Sequence, residues 1–205
     1  MMMNTIVFDL GGVLIDWNPE YVFLKEFRGD REKMIWFFEN ICTSEWNEQQ
    51  DAGYNLEQAT LERIALFPEH ERHIRMYYGE WEQMLGYELT GTVEILKKLY
   101  QSTDYSIYAL TNWSGETFPV ALQKFPFLSW FEGIVVSGDE KLVKPDPAIY
   151  KLLLDRYNLD AKTCVFIDDR ADNVQAAVHY GFKGIQFSND RQLRNELLEL
   201  NIKIQ

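Results

Sequence analysis

The chain reads as an α/β protein: a parallel sheet with helices on both faces, interrupted after its first strand by a helical insert. Three features predict this. Short apolar runs alternate with amphipathic stretches from about residue 86 onward, and strands that alternate with helices pair in parallel. A long helical stretch, from Pro19 to about Trp81, separates the first apolar run from that rhythm. A length of 205 residues suits one core domain carrying a small insert.

The elements follow in order. Residues 5–8 are an apolar run ending at Asp9 and the Gly11-Gly12 pair, a strand followed by a turn. In the insert, Tyr21, Phe23, Leu24 and Phe27 keep helical spacing, as do Met34, Phe37, Phe38 and Ile41. A further amphipathic helix follows Asn55, with Asn55 as its cap and Gln58 three residues on. Residues 92–100 predict a helix, 105–110 a strand, 116–124 a helix and 133–136 a strand. Residues 147–157 predict a helix with Pro147 in its first turn. Residues 164–167 are a strand, and 171–180 a helix stopped by Gly181. A strand at 184–187 and a helix at 191–200 complete the pattern.

Composition narrows the function. Twenty Lys and Arg against 32 Asp and Glu give a net charge of −12, which repels phosphate backbones and argues against nucleic acid as a partner. No run of eighteen apolar residues is present, so no membrane-spanning segment is expected. The start, MMMNTIVFDLGG, lacks a cationic region before its short apolar run and reads as a buried strand, not a signal peptide. Cys42 and Cys164 are too few for a disulfide framework or a zinc site and read as buried hydrophobes; a reducing cytoplasm is the expected location.

Ligands of open parallel sheets bind beyond the carboxyl ends of the strands. At that rim the sequence places Asp9, then Thr111 and Asn112, then Asp168 and Asp169, with Lys144 past the third core strand. Crowded carboxylates ionise comfortably only beside a cation. A few hard oxygen ligands suit Mg²⁺, which retains waters and takes substrate oxygens as well. A lysine and a hydroxyl then hold the rest of an anion. An aspartate in such a site can attack phosphorus.

The strings FDLGGVLIDW (8–17), LTNWS (110–114), KPDPAIY (144–150) and FIDDRADN (166–173), in this order, resemble the four motifs of the haloacid dehalogenase-like (HAD) hydrolase superfamily. The resemblance covers the whole chain. It implies a Rossmann-like core over residues 1–15 and 86–205, with a helical C1 cap over residues 16–85. DLGGV followed by DWNP, with TN in the second motif, is most similar to the sugar-phosphatase branch that includes bacterial α-glucose-1-phosphate phosphatases.

Carried over by position, the resemblance implies the following roles. Asp9 is the nucleophile that forms an aspartyl-phosphate. Thr111 binds the phosphoryl oxygens, and Asn112 assists through its backbone or side chain. Lys144 neutralises the nucleophile and the transferring group. Asp169 is the main Mg²⁺ ligand of the fourth motif, with Asp168 a ligand or a supporting partner; the adjacent pair allows either to bind directly. Asp9 and the Gly11 carbonyl complete the metal set, and Asn173 positions a metal-bound water. The implied activity is Mg²⁺-dependent hydrolysis of a small phosphomonoester of the sugar-phosphate kind.

One position departs from the family's pattern. Two residues after the nucleophile, relatives carry an aspartate that protonates the leaving oxygen and later activates water. Here that residue is Gly11, which keeps the carbonyl but loses a general acid and base worth typically about 10²–10⁴-fold in rate. A sugar 1-phosphate tolerates a weaker acid, because its anomeric oxygen leaves more readily than a simple alkoxide. Two rivals therefore stand: a 2-haloacid dehalogenase, which attacks carbon without metal, and a slow or inactive phosphoester-binding or interaction protein. Asp16, Trp17 and Asn18 either line the site or anchor the hinge. Trp46, Asn47 and the Asp51-Ala52-Gly53 turn either face substrate across the cap or pack, with packing the favoured reading, and His70, His73 and His179 fall outside the motifs.

Overall fold

A computed structural model describes residues 3–204. The strands are β1 (Thr5–Phe8), β2 (Ile15–Trp17), β3 (Leu85–Glu88), β4 (Ser106–Thr111), β5 (Gly133–Val136), β6 (Cys164–Asp168) and β7 (Lys183–Gln186). The helices are α1 (Glu20–Glu26), α2 (Arg31–Asn40), α3 (Ser44–Asp51), α4 (Leu56–Leu66), α5 (Glu71–Gly79), α6 (Trp81–Met84), α7 (Thr90–Gln101), α8 (Phe118–Lys124), α9 (Ser137–Glu140), α10 (Pro147–Tyr157), α11 (Ala171–Tyr180) and α12 (Asp190–Glu199).

Five strands form one parallel sheet in the order β5-β4-β1-β6-β7. The central strand β1 is buried on both faces, hence its unbroken apolar sequence. Alternation sorts its side chains. Ile6 and Phe8 join Ala109, Ile167 and the apolar faces of α7 and α12, whereas Val7 joins Leu110, Phe166 and Ile149, Tyr150 and Leu153 of α10. The chain builds outward from β1 to β4 and β5, then returns to β6 and β7. The order reverses beside β1, and ligand crevices open at such a reversal. Phe8 pairs with Ala109 on one side and Ile167 on the other, so Asp9 emerges at the mouth of that crevice.

The insert's helices α1–α6 surround their own core of Phe23, Met34, Phe37, Trp46, Ile74 and Tyr77. Three of its helices are capped by short polar side chains: Asp30 accepts from the Lys33 N–H at 3.1 Å, Thr43 from the Trp46 N–H at 3.2 Å and Asn55 from the Gln58 N–H at 2.9 Å. The reciprocal half of the expected capping box does not form, because the Gln58 side chain turns forward to Glu62. Three elements were not anticipated. β2 and β3 form an antiparallel ribbon, with Ile15 opposite Glu88 and Trp17 opposite Leu85, through which the chain leaves and re-enters the core. Each is only three or four residues long and half-exposed, too short for period-2 alternation to register. Likewise α9 intervenes between β5 and Lys144. Among the described residues no helix is long and apolar enough to cross a membrane.

Candidate active site

Asp9, Thr111, Asn112, Lys144, Asp169 and Asn173 line one cavity of about 350 Å³ at the carboxyl edge of the sheet. Gly11 and Gly12 form its floor beside Asp9. The sequence-predicted rim is thus assembled in space, apart from Asp168, which lies fully buried behind it.

Lys144 organises the centre. Its ammonium has no solvent exposure and lies 2.9 Å from Asp9 Oδ1 and 2.7 Å from Asp168 Oδ2. A buried ammonium is tolerable only when paired in this way. Its backbone is clamped: Asn112 Nδ2 donates to the Lys144 carbonyl at 2.9 Å, and the Lys144 N–H donates to Asn112 Oδ1 at 2.8 Å. Both polar atoms of the Asn112 side chain are therefore spent on holding Lys144. The Asn112 side chain thus serves first to position Lys144.

Asp168 is equally committed. Its oxygens also accept from the Arg170 N–H at 2.9 Å and from Asn173 Nδ2 at 3.1 Å. Asp169 is exposed and faces the cavity. It comes very near Gly12, where a Cβ would lie 2.6 Å from Asp169 Oδ2 on a backbone at φ +72. Only glycine fits there, for reasons of both space and conformation. Asn173 Oδ1 is buried with no hydrogen-bond partner, a cost that a bound water or ligand would relieve.

The electrostatics point to a cation. One ligand oxygen from each of Asp9, Asp168 and Asp169 lies within 4.8 Å of the others. Three carboxylates and one ammonium sum to −3 + 1 = −2. Burial, and then Asp168, push the Asp9 carboxyl up to about 7 against the pull of Lys144. Burial and Asp168 also raise the pKa of Asp169. Burial draws the Lys144 ammonium down, but Asp9 and Asp168 outweigh it and hold its pKa above the ordinary lysine value. Carboxylates whose ionised form is penalised in this way become good ligands once a divalent ion enters.

The opposite wall comes from the insert, and sequence reasoning missed most of it. Asn47, Glu48 and Asp51 of α3 and Tyr78 of α5 face the rim, and Trp17, Trp81 and Trp113 add aromatic surface. Of the hinge residues only Trp17 lines this cavity. Asp16 accepts from the Tyr21 hydroxyl, and Asn18 Oδ1 accepts from the Glu20 N–H at 2.9 Å to anchor α1. Trp46 packs in the insert core, as expected, whereas Asn47 and Asp51 do not. The signal was present in the small polar run before Gly53, which packing alone does not need. His70 and His73 stack among Phe27, Trp36 and Phe37, remote from the rim. His179 is exposed on α11. Both cysteines are buried and free, and burial raises their thiols to about 12 for Cys42 and about 11 for Cys164.

Comparisons with known proteins agree with this geometry. Flavin mononucleotide hydrolase 1 of Arabidopsis thaliana is 32% identical over 122 residues, covering 58% of this chain and 48% of that protein. The chain thus spans about half the length of that relative. The sesquiterpene phosphatase astK of Aspergillus oryzae is 25% identical over 208 residues, covering 95% of this chain and 94% of that one. The fold is shared with a HAD family enzyme of Bacteroides thetaiotaomicron solved as a magnesium complex, with a TM-score of 0.72 at 22% identity over 92% of this chain and 95% of that one. The model of haloacid dehalogenase-like hydrolases matches residues 3–181, so the carboxylates and the lysine at this sheet edge are those of a chain that belongs to the HAD-like hydrolase family.

Proposed function

We propose that the chain is a Mg²⁺-dependent phosphatase that hydrolyses a small phosphomonoester, of the sugar-phosphate kind, through an aspartyl-phosphate on Asp9. The observation that carries this reading is the contact of Asp9 with a buried Lys144 beside a second and third carboxylate. Relatives named as a flavin mononucleotide hydrolase and a sesquiterpene phosphatase support it.

The chain's own groups divide the work. Asp9 Oδ1 is held by the Leu10 N–H at 2.7 Å and by Lys144 at 2.9 Å, which leaves Oδ2 to attack phosphorus. Lys144 offsets charge on the nucleophile and the transferring group. Thr111, buried at the end of β4, offers its hydroxyl to a phosphoryl oxygen. Asp169, Asp9 and the Gly11 carbonyl are the residues to hold Mg²⁺. Asp168, fully engaged with Lys144, Asn173 and the Arg170 N–H, supports them from behind. The metal, when bound, neutralises the charge that accumulates on the phosphoryl oxygens. Asn173 Oδ1 orients water at its edge. The insert closes the site from bulk water.

The test is inorganic phosphate release from a panel of sugar phosphates and flavin mononucleotide, with Mg²⁺ and with EDTA. Turnover that needs Mg²⁺ and disappears in Asp9→Asn is the expected outcome. EDTA-resistant chloride release from a 2-haloacid would replace this reading with the dehalogenase. No turnover above Asp9→Asn on any ester would replace it with the binding protein.

A further inference from the structure

Gly11 leaves the phosphatase reading without a proton donor for the departing oxygen. The geometry points to Asp51, presented by insert helix α3, as the general acid and base of this site. The inference rests on the phosphatase reading and assigns it a further catalytic residue.

Three observations carry it. First, a Cβ built on Gly11 meets nothing within 4 Å. Gly11 and Asp51 line the same cavity, one from the core and one from the insert. Second, of the two α3 carboxylates on that wall, Glu48 is paired with Arg170 at 3.4 Å, whereas Asp51 has no cationic partner among the described residues. Its Oδ2 accepts from Asn47 Nδ2 at 3.0 Å, and Asn47 Oδ1 accepts from the Tyr78 hydroxyl at 3.0 Å. One oxygen is thus oriented by a neutral donor, which lowers the pKa of the carboxyl less than a cation would. Third, Asp51 is pinned against the core. Its carbonyl accepts from the Ser137 hydroxyl, and two residues on, Gly53 comes so near the Gly138 carbonyl that a Cβ would lie 2.4 Å from it.

Burial pushes the Asp51 carboxyl up to about 7, with Glu48 and Asp9 adding to the rise and the Ser114 N–H opposing it. The other ionisable groups on the same cavity are Asp169, Lys144 and Arg170 from the core and Tyr78 from α5. An acid near neutrality suits both halves of the reaction. As Asp9 Oδ2 bonds to phosphorus and the ester P–O bond breaks, the leaving oxygen takes the Asp51 proton and departs as an alcohol. Water then attacks the aspartyl-phosphate and gives a proton to the Asp51 carboxylate. The P–O bond to Asp9 breaks, and phosphate leaves with both aspartates restored.

The test compares glucose 6-phosphate, an alkyl ester, with p-nitrophenyl phosphate, whose leaving group needs no proton. In Asp51→Asn, kcat/KM for the alkyl ester should fall by about 10²–10⁴-fold, and for the aryl ester by at least about tenfold less. Adding Gly11→Asp should recover part of the alkyl loss. Equal losses on both esters would overturn the assignment of Asp51, since a purely structural role lowers both alike. Should Asp51→Asn fail to fold, the wild type decides: a basic limb near pH 7 with the alkyl ester and none with the aryl ester supports a general acid, and identical profiles overturn it. Where the wild type does not hydrolyse glucose 6-phosphate, the alkyl ester of the panel that it does hydrolyse takes its place, and turnover of no ester of the panel would overturn the phosphatase reading itself, and Asp51's role with it.

Discussion

At the scale of single residues, the site depends on which atoms are already spent. Asp168 and Asp169 are adjacent in sequence, and both alignments to a metal were open. Packing separates them: strand alternation turns Asp168 inward to Lys144 and leaves Asp169 facing the cavity. Asp9, Thr111 and the Asp168-Asp169 pair were legible because they sit at strand ends, whereas Lys144 is separated from β5 by α9. The partner of each side chain was not legible, because Asn112 and Lys144 are joined across 32 positions by a contact that only the fold creates. Gly12 belongs at this scale too. In Gly12→Ala the methyl would meet Asp169 Oδ2, and we expect Mg²⁺ affinity measured by calorimetry to drop about tenfold or more. Asp51 predicts a pH effect on stability. Its unfolded carboxyl titrates near 3.8 and its folded one near 7, so the folded state binds the extra proton. Stability from this group is therefore full below about pH 4 and is lost as pH rises to about 7. In EDTA, the gain in melting temperature of Asp51→Asn over wild type should be larger at pH 8 than at pH 5.

At the scale of elements, the core strands were legible and the hinge was not. Buried parallel strands are continuous apolar runs, and their helices carry regular stripes. The β2–β3 ribbon gives no such signal; its pairing depends on two segments about seventy residues apart meeting in space. Helix α3 is the element that carries the most function beyond the motifs, since it brings Glu48 to Arg170 and Asp51 to the rim. Its docking depends on Gly53, at φ +90 against the Gly138 carbonyl. Gly53→Ala should push α3 off the core. The expected signs are faster limited proteolysis within the insert and a raised KM, with Mg²⁺ affinity close to wild type, because no rim carboxylate touches Gly53.

At the scale of the whole molecule, the net charge of −12 and an anionic substrate are reconciled locally. The rim gathers three acids around one ammonium, and its residual −2 is what a divalent cation cancels. On the proposed reading, the surrounding acidity favours metal entry and Lys144 meets the phosphoryl group. Length and rhythm made the α/β core and its insert readable, and the insert's wall of the cavity was what they concealed. The central claim is that Asp9 carries the phosphoryl group. Acid-quenching the enzyme during turnover of a sugar phosphate with Mg²⁺, followed by peptide mass spectrometry, tests it most directly. A phosphoryl adduct on the peptide containing Asp9, absent from Asp9→Asn, is the predicted result. Phosphate release with no adduct on Asp9, or release that persists in Asp9→Asn, would contradict it.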